Sequence, residues 1–292
     1  MTARGGSDRA LVVRVSGPTA TVCRDGALVE ARIQPRLAGG PPVAGDRAEL
    51  RDDGDGVTVV GLAPRRTRLE RGDGRERRPR AVAANAELLV VVAAVVDPPI
   101  RPRLVDRYLV AAAAGGLDAA LVITKTDLHH DAGALAAIAG RYRDVGYAVL
   151  CGSARAPGLA EEVRALIAGR TAVLAGHSGV GKSTLTSALT GRPRATGSVS
   201  ARIGKGRHTT TDPRLIPVAG GGAVVDTAGV RTFHLPRMER AVLEAGFPEI
   251  HALAPGCRFR GCAHAGDAGC AVEGRVHPER LDSYRRLLHD VT

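Results

Sequence analysis

The order of two short segments constrains this chain more than any other feature. Gly176-His177-Ser178-Gly179-Val180-Gly181-Lys182-Ser183 has the spacing G-x-x-x-x-G-K-S, and Thr124-Lys125-Thr126-Asp127 lies upstream of it. The first pattern cradles phosphates and the second reads a purine base. In the usual arrangement the phosphate loop comes first and the base reader last. A chain with the reverse order can rebuild the same sheet and site only if its ends have moved, that is, by circular permutation.

Local context supports both segments. Thr171 to Ala175 is an apolar strand and Ser183 to Leu189 has helical character, so the glycine-rich loop joins a strand to a helix N-terminus. There successive backbone N–H groups can converge on an anion. Residues Gly176 through Thr184 are the expected phosphate contacts, with Lys182 reaching the β- and γ-phosphates and Ser183 coordinating Mg²⁺. Thr124 to Asp127 ends the strand Leu121 to Ile123. The Asp127 carboxylate can accept from guanine N1 and N2, a donor pair that adenine lacks. The Lys125 stem can lie along the base. Thr124 stands where Asn is usual, leaving a hydroxyl in place of a bridging amide, which is expected to weaken nucleotide affinity. Ser153-Ala154, after a strand at 147–151, can offer a backbone N–H to guanine O6.

Asp226-Thr227-Ala228-Gly229 follows the strand Ala223 to Val225. Asp226 can hold Mg²⁺ through water, and the Gly229 N–H can bond the γ-phosphate. Between the two phosphate elements lies Gly204-Lys205-Gly206-Arg207-His208-Thr209-Thr210-Thr211; one of the three Thr can complete the Mg²⁺ shell. Val230 stands where a water-orienting Gln is common and cannot perform that task. His208 is a candidate substitute, though a structural or RNA-facing role accounts for it equally well. Lys182, Asp226, Gly229 and His208 form the candidate catalytic set.

Residues 1–63 divide into five short strands between turns such as Asp25-Gly26 and Gly39-Gly40-Pro41-Pro42. That spacing fits a small barrel of the OB type, with a β-sandwich as the other solution. Residues 64–80 are rich in Arg, Gly and Pro and are expected to be a basic linker. From 81 to 236 strands and helices alternate, with strands at 88–96, 119–124, 147–151, 171–175, 214–218 and 222–226 and helices at 103–114, 131–142, 158–168 and 182–190. Alternation of this kind gives a parallel sheet covered by helices. Residues 237–292 are expected to be a short helical domain. The fold class is therefore α/β: a permuted P-loop GTPase domain between an N-terminal barrel and a small C-terminal unit.

The chain has 292 residues and a net charge of +11. Residues 1–80 net +5, residues 81–236 net +6 and the last segment nets zero. Positive charge concentrates at Pro64 to Arg80 and Arg192 to Arg214, as expected of a surface that meets RNA. Only Lys125, Lys182 and Lys205 are lysine, and two of these sit in nucleotide motifs. There a compact ammonium differs from the planar Arg fork. No apolar run is long enough for a membrane span and Met1 to Ala10 is polar, so no membrane association and a cytoplasmic location are expected.

Cys257-x4-Cys262-x-His264-x5-Cys270 gathers three thiolates and an imidazole, the donor set of a closed tetrahedral Zn²⁺ site. A small segment with few large apolar residues gains folding energy from such a site. Cys23 and Cys151 stand alone and are expected to be small core residues.

Taken together, the TKTD–SA–GHSGVGKS–GRHTT–DTAG order, the barrel, the cysteine cluster followed by Ala271-Val272, the stretch around Asn85 and Leu104-x-Asp106-Arg107-Tyr108-Leu109 resemble the family of ribosome-small-subunit-dependent GTPases A. The resemblance covers nearly the whole chain. It implies a GTPase that binds the small ribosomal subunit and its rRNA late in maturation, with slow turnover stimulated by the subunit. It further implies guanine binding at 124–127, phosphate binding at 176–184, zinc at Cys257, Cys262, His264 and Cys270, and a catalytic His208. The expected ligands are GTP/GDP, Mg²⁺ and one structural Zn²⁺, and the chain is expected to act as a monomer. Ala228 departs from the family's usual Pro. Two other readings remain at this level: a GTP-locked ribosome-binding switch with negligible turnover, and a P-loop kinase or ATPase, which Asp127 disfavours. Because the phosphate-sensing segment runs straight into the cysteine-rich tail, GTP hydrolysis is expected to reorient that tail relative to the barrel.

Overall fold

The computed structural model describes residues 9–73, 78–192, 212–227 and 233–292. Five strands form the N-terminal barrel: β1 (Arg9–Ser16), β2 (Thr19–Arg24), β3 (Ala27–Ile33), β4 (Arg47–Asp52) and β5 (Val57–Leu62). β1, β2 and β3 pair as antiparallel hairpins, and Asp25 and Gly26 supply the positive φ values of a tight two-residue turn. β3 pairs in parallel with β5, β5 with β4, and β4 returns to β1, so the sheet closes. This is the OB arrangement. Alternate residues Ala10, Val12, Ala20, Val22, Ala31, Ala48 and Val59 point inward, and their small size suits the narrow interior of a five-stranded barrel.

The segment expected to be a basic linker is largely structured. β6 (Arg68–Gly72) pairs antiparallel with β7 (Pro79–Ala84). Leu69, Val82 and Ala83 of this hairpin are buried in the main core. Charged neighbours of Leu69 stay outside, as Arg68 pairs with Glu70. Arg65 is not available to a polyanion: its guanidinium grips the fully buried Asp46 of the barrel through two 2.8 Å bonds. Asn85 completes the joint, its amide donating to Gly45 O at 3.0 Å and accepting from the Arg66 N–H at 2.9 Å.

The central unit runs β8 (Leu88–Ala94), α1 (Pro102–Gly115), β9 (Asp118–Thr124), α2 (Ala132–Arg143), β10 (Ala148–Cys151), α3 (Pro157–Ile167), β11 (Thr171–Ala175), α4 (Lys182–Thr190), β12 (Arg214–Pro217) and β13 (Ala223–Asp226). The sheet order is β10-β9-β8-β11-β13-β12, with β12 antiparallel and the rest parallel. Every residue of β8 is buried, because helices cover both faces. Leu89, Val91 and Ala93 meet α1 and α2 on one face, whereas Leu88, Val90 and Val92 meet α3 and α4 on the other. The barrel joins this sheet where Arg14 of β1 pairs with Arg214 of β12.

The C-terminal segment adds α5 (Arg240–Ala245), α6 (Pro248–Leu253) and α7 (Pro278–Val291). It has no separate core. Leu243, Phe247, Leu281, Tyr284 and Leu287 belong to the same apolar cluster as Leu109 and Val110 of α1. Arg280 of α7 is 1% exposed and ties the units together. It donates to Asp106 of α1 and, at 2.7 Å, to Glu249 of α6, and lies 4.4 Å from the Phe247 ring centre. Burial pushes the Asp106 carboxyl up, and the Arg280 charge opposes that shift.

Candidate functional site

The register of the parallel strands brings the motifs to one edge of the sheet. Leu174 stands beside Asp226 on one side and Val90 on the other, and Ala94 stands beside Thr124. Gly176, Thr124, Gly152 and Asp226 therefore all lie where strands end and chains turn, the usual ligand-binding edge of such sheets.

The phosphate loop is held from below. Gly176 has φ +151, and a Cβ there would lie 2.0 Å from Val92 O, so only glycine lets the loop leave β11 this close to β8. Val180 is buried in the core face of α3 and α4. Lys182, 8% exposed, begins α4 and turns back over the loop, donating to Gly176 O at 2.8 Å and His177 O at 2.7 Å. Burial lowers its pKa below the ordinary lysine value while the Asp226 charge opposes that. The ammonium is thus held over the loop by two neutral carbonyls, which an anionic phosphate can outcompete. Ser183 and Thr184 follow on the first turn of α4, half-buried.

Thr124 is fully buried, and its hydroxyl donates to Val180 O of the phosphate loop at 2.6 Å, with Ala93 O at 3.1 Å. The expectation that Thr leaves the bridge weaker is thereby sharpened. The bridge to the phosphate loop exists, but a hydroxyl has one proton where an amide has two. A side-chain carbon placed on Gly181 would lie 3.6 Å from both Thr124 Oγ1 and Ala154 Cβ. Base reader, Ser153-Ala154 turn and phosphate loop therefore meet at one point, although 56 residues separate Thr124 from Val180. Lys125 adopts φ 60, and its ammonium donates to Asp97 O in the loop after β8. Asp127, in the turn Thr126–Leu128, is exposed and presents a carboxylate to solvent. Thr126 N–H faces Gly152 O at 3.5 Å, linking this turn to the one that carries Ser153. Asp226 ends β13, and Thr227 anchors the exit by donating to Leu174 O at 2.7 Å. His208, Lys205, Thr209, Thr210, Thr211, Ala228, Gly229 and Val230 lie outside the described residues.

A second cluster is distinct from the first. One donor atom each from Cys257, Cys262, His264 and Cys270 lies within 4.8 Å of all the others. His264 turns Nδ1 inward, 3.6 Å from Cys257 Sγ and 3.4 Å from Cys270 Sγ. Its Nε2 faces Glu244 Oε1 at 3.6 Å. Glu244 is held in turn by the Tyr284 hydroxyl at 3.2 Å and the Arg240 guanidinium at 3.0 Å. A carboxylate behind an inward-facing imidazole is the outer support that zinc-binding His residues use, and three soft sulfurs with one nitrogen suit that ion.

Sequence reasoning missed three contributors. Glu244 comes from α5, and nothing in its sequence spacing marks it as a partner of His264. The Asp97 carbonyl acts through backbone, which no residue type reveals. Tyr108 of α1 faces the Gly176 backbone with its hydroxyl and stacks against Phe233 at 4.5 Å between ring centres. Burial pushes its phenol up to about 12, opposed by the Gly176 contact. It thus joins the phosphate loop to the chain that leaves the Asp226 turn.

Comparison with known proteins agrees with this geometry. The RsgA GTPase family model matches residues 62–236. A small ribosomal subunit biogenesis GTPase RsgA of Azotobacter vinelandii is 42% identical over 256 residues, covering 84% of this chain and 74% of that one. Its counterpart in Pseudomonas fluorescens is 40% identical over 255 residues, with the same coverage. The crystal structure of YjeQ from Thermotoga maritima superposes with a TM-score of 0.74 at 25% identity, covering 97% of this chain and 98% of that one. The crystal structure of YloQ, described as a circularly permuted GTPase, gives 0.74 at 24% identity, covering 100% and 97%.

Proposed function

This chain belongs to the RsgA GTPase family, and from that premise we propose that it hydrolyses GTP on the small ribosomal subunit, coupling turnover to late subunit maturation and to its own release. The observation that carries the reading is the Thr124 hydroxyl bonded to Val180 O at 2.6 Å, which ties residues 124–127 to the loop 176–184. A base read by Asp127 then has its phosphates over the loop 176–184. Lys182 leaves its two carbonyl partners for the phosphate oxygens. Asp127 accepts from guanine N1 and N2, and the Ala154 backbone N–H answers O6. Ser183 and Asp226 are the residues that hold Mg²⁺, which neutralises charge developing on the phosphates. His208 orients the attacking water and the Gly229 N–H senses the γ-phosphate. Cys257, Cys262, His264 and Cys270 hold one structural Zn²⁺.

The barrel and the basic segments meet rRNA. Among the described residues no helix is long and apolar enough to cross a membrane, and the chain works as a cytoplasmic monomer. Loss of the γ-phosphate reorients the tail through the segment that leaves Asp226. Since the tail shares its core with α1, that helix moves with it.

Steady-state phosphate release, with and without purified small subunits and with ATP as competitor, tests the proposal. Stimulation by the subunit and indifference to ATP are expected. A near-zero rate that the subunit leaves unchanged would favour the binding-switch reading, and competition by ATP would overturn the assignment of 124–127.

A further inference from the structure

This chain hides its aromatic rings with one exception. Phe233, Phe247, Tyr108, Tyr142 and Tyr284 are buried and Tyr147 is half-buried, whereas Phe259 is 54% exposed. A lone apolar side chain at a surface is ordinary, and Leu28 and Leu128 are two examples here. Phe259 differs in its setting. It stands between Arg258 and Arg260, both exposed, in a loop that starts at Cys257 and ends at Cys262 of the zinc-type cluster.

That loop is tied at several points. The Cys262 N–H donates to Phe259 O at 3.3 Å and the Arg258 N–H to Gly269 O at 3.0 Å. The Arg240 guanidinium donates to Gly261 O at 2.7 Å. A turn pinned at both ends and along its length holds the ring outward, so little ordering entropy is lost when a ligand meets it. The Arg258 guanidinium lies over the ring, 5.3 Å from its centre, so one face already meets a cation and the base is assigned to the other.

The charges tell the same story. Residues 237–292 carry no net charge, and Arg240, Arg280, Arg285 and Arg286 are each matched with a carboxylate. Arg258 and Arg260, like Arg237 and Arg275 in the same segment, are exposed and have no carboxylate partner among the described residues; only the first two border an exposed ring. The nearby Asp267 is turned toward Cys262 Sγ at 3.4 Å and the Ala265 N–H at 3.3 Å. Two unmatched cations thus flank the one exposed aromatic ring.

We propose that Arg258, Phe259 and Arg260 form a docking point for an unpaired RNA base. The ring stacks on the base and the arginines meet the flanking phosphates. The inference rests on the RNA-binding reading above and names a site for it. An unpaired nucleotide is required, because a duplex does not offer a base face. Every base has such a face, so the site is tolerant of sequence.

The test uses the full-length protein and a short single-stranded oligouridine carrying 5-iodouridine, with binding read by anisotropy and contact by photo-crosslinking and mass spectrometry. The crosslink is expected at Phe259. Phe259→Tyr retains affinity, whereas Phe259→Ala and Phe259→Leu each lose about tenfold. Arg258→Ser with Arg260→Ser flattens the slope of log affinity against log salt by about 1.4. Unchanged zinc content and unstimulated GTP turnover in the variants show that they fold.

Retention of affinity by Phe259→Leu would mean an apolar protein contact and would overturn the proposal, as would a crosslink elsewhere. If subunits stimulate wild-type turnover but oligouridine binding ignores Phe259, this inference alone falls. If the wild type binds neither RNA nor subunit, the broader reading falls with it.

Discussion

The Thr124 hydroxyl offers a measurable link between base reader and phosphate loop. Replacing it by valine keeps shape and volume, so no cavity opens. What disappears is one donor, 2.6 Å from Val180 O and 3.1 Å from Ala93 O, on a side chain that is 0% exposed. The lost bond and the stranded carbonyl together cost about 1–3 kcal/mol. Thr124→Val is therefore expected to lower domain stability by that amount in a urea titration. The stranded carbonyl is in the loop proposed to hold the phosphates, so GDP affinity should fall on the order of tenfold, equivalent to about 1.4 kcal/mol. Thr124→Ser keeps the donor and should keep affinity. Thr124→Asn, with two amide protons for two carbonyls, should bind GDP more tightly. A valine variant that loses stability but binds GDP as the wild type does would refute the reasoning, because the hydroxyl would then serve the fold and not the loop.

Gly176→Ala places a carbon 2.0 Å from Val92 O; the variant is expected to lose about 4 kcal/mol or more of stability, and to bind no nucleotide by equilibrium dialysis. Arg280→Met leaves the fully buried Asp106 and the half-buried Glu249 without their cation, costing about 3–5 kcal/mol in a denaturant titration, and adding Asp106→Asn should recover part of the loss. Glu244→Gln removes the carboxylate behind His264 and should weaken zinc affinity about 10–100-fold in a chelator competition, with little change in GDP affinity because the two clusters are separate.

Much of the central sheet was legible because its signals are local. Apolar runs such as Leu88–Ala94 and Thr171–Ala175 are bounded by turn residues, and their observed limits differ from expectation by two residues or fewer. The barrel was legible for the same reason, its strands alternating between Gly and Asp turns. The β6–β7 hairpin was not. Within 64–80 the charge is conspicuous and Leu69 is nearly alone as an apolar residue, and its burial depends on α1, far along the chain. Arg65 illustrates the limit from the other side: composition cannot distinguish a cation facing solvent from one gripping Asp46. The site motifs stand out in the sequence because each carries its chemistry within a few residues, and the fold brings Thr124, Gly152, Ala175 and Asp226 to one edge of the sheet. Glu244 acts across the fold and no spacing announces it; Tyr108 stood out only as part of the stretch 104–109 that carries the resemblance, with no sign of its contact to the Gly176 backbone. The sharing of one core by α1 and the C-terminal helices was equally invisible, since Phe247 and Tyr284 fit a small separate core just as well.

The account stands on Asp127 reading the base whose phosphates lie over residues 176–184. The direct measurement is phosphate release from GTP and from XTP, with small subunits present, for the wild type and for Asp127→Asn. A carboxylate accepts from guanine N1 and N2; an amide can instead donate to the O2 of xanthine. The wild type is expected to turn over GTP and to ignore XTP, and the variant to reverse that preference. A variant that keeps its preference for GTP would contradict the assignment, and with it the reading of this reversed motif order as a rebuilt guanine site.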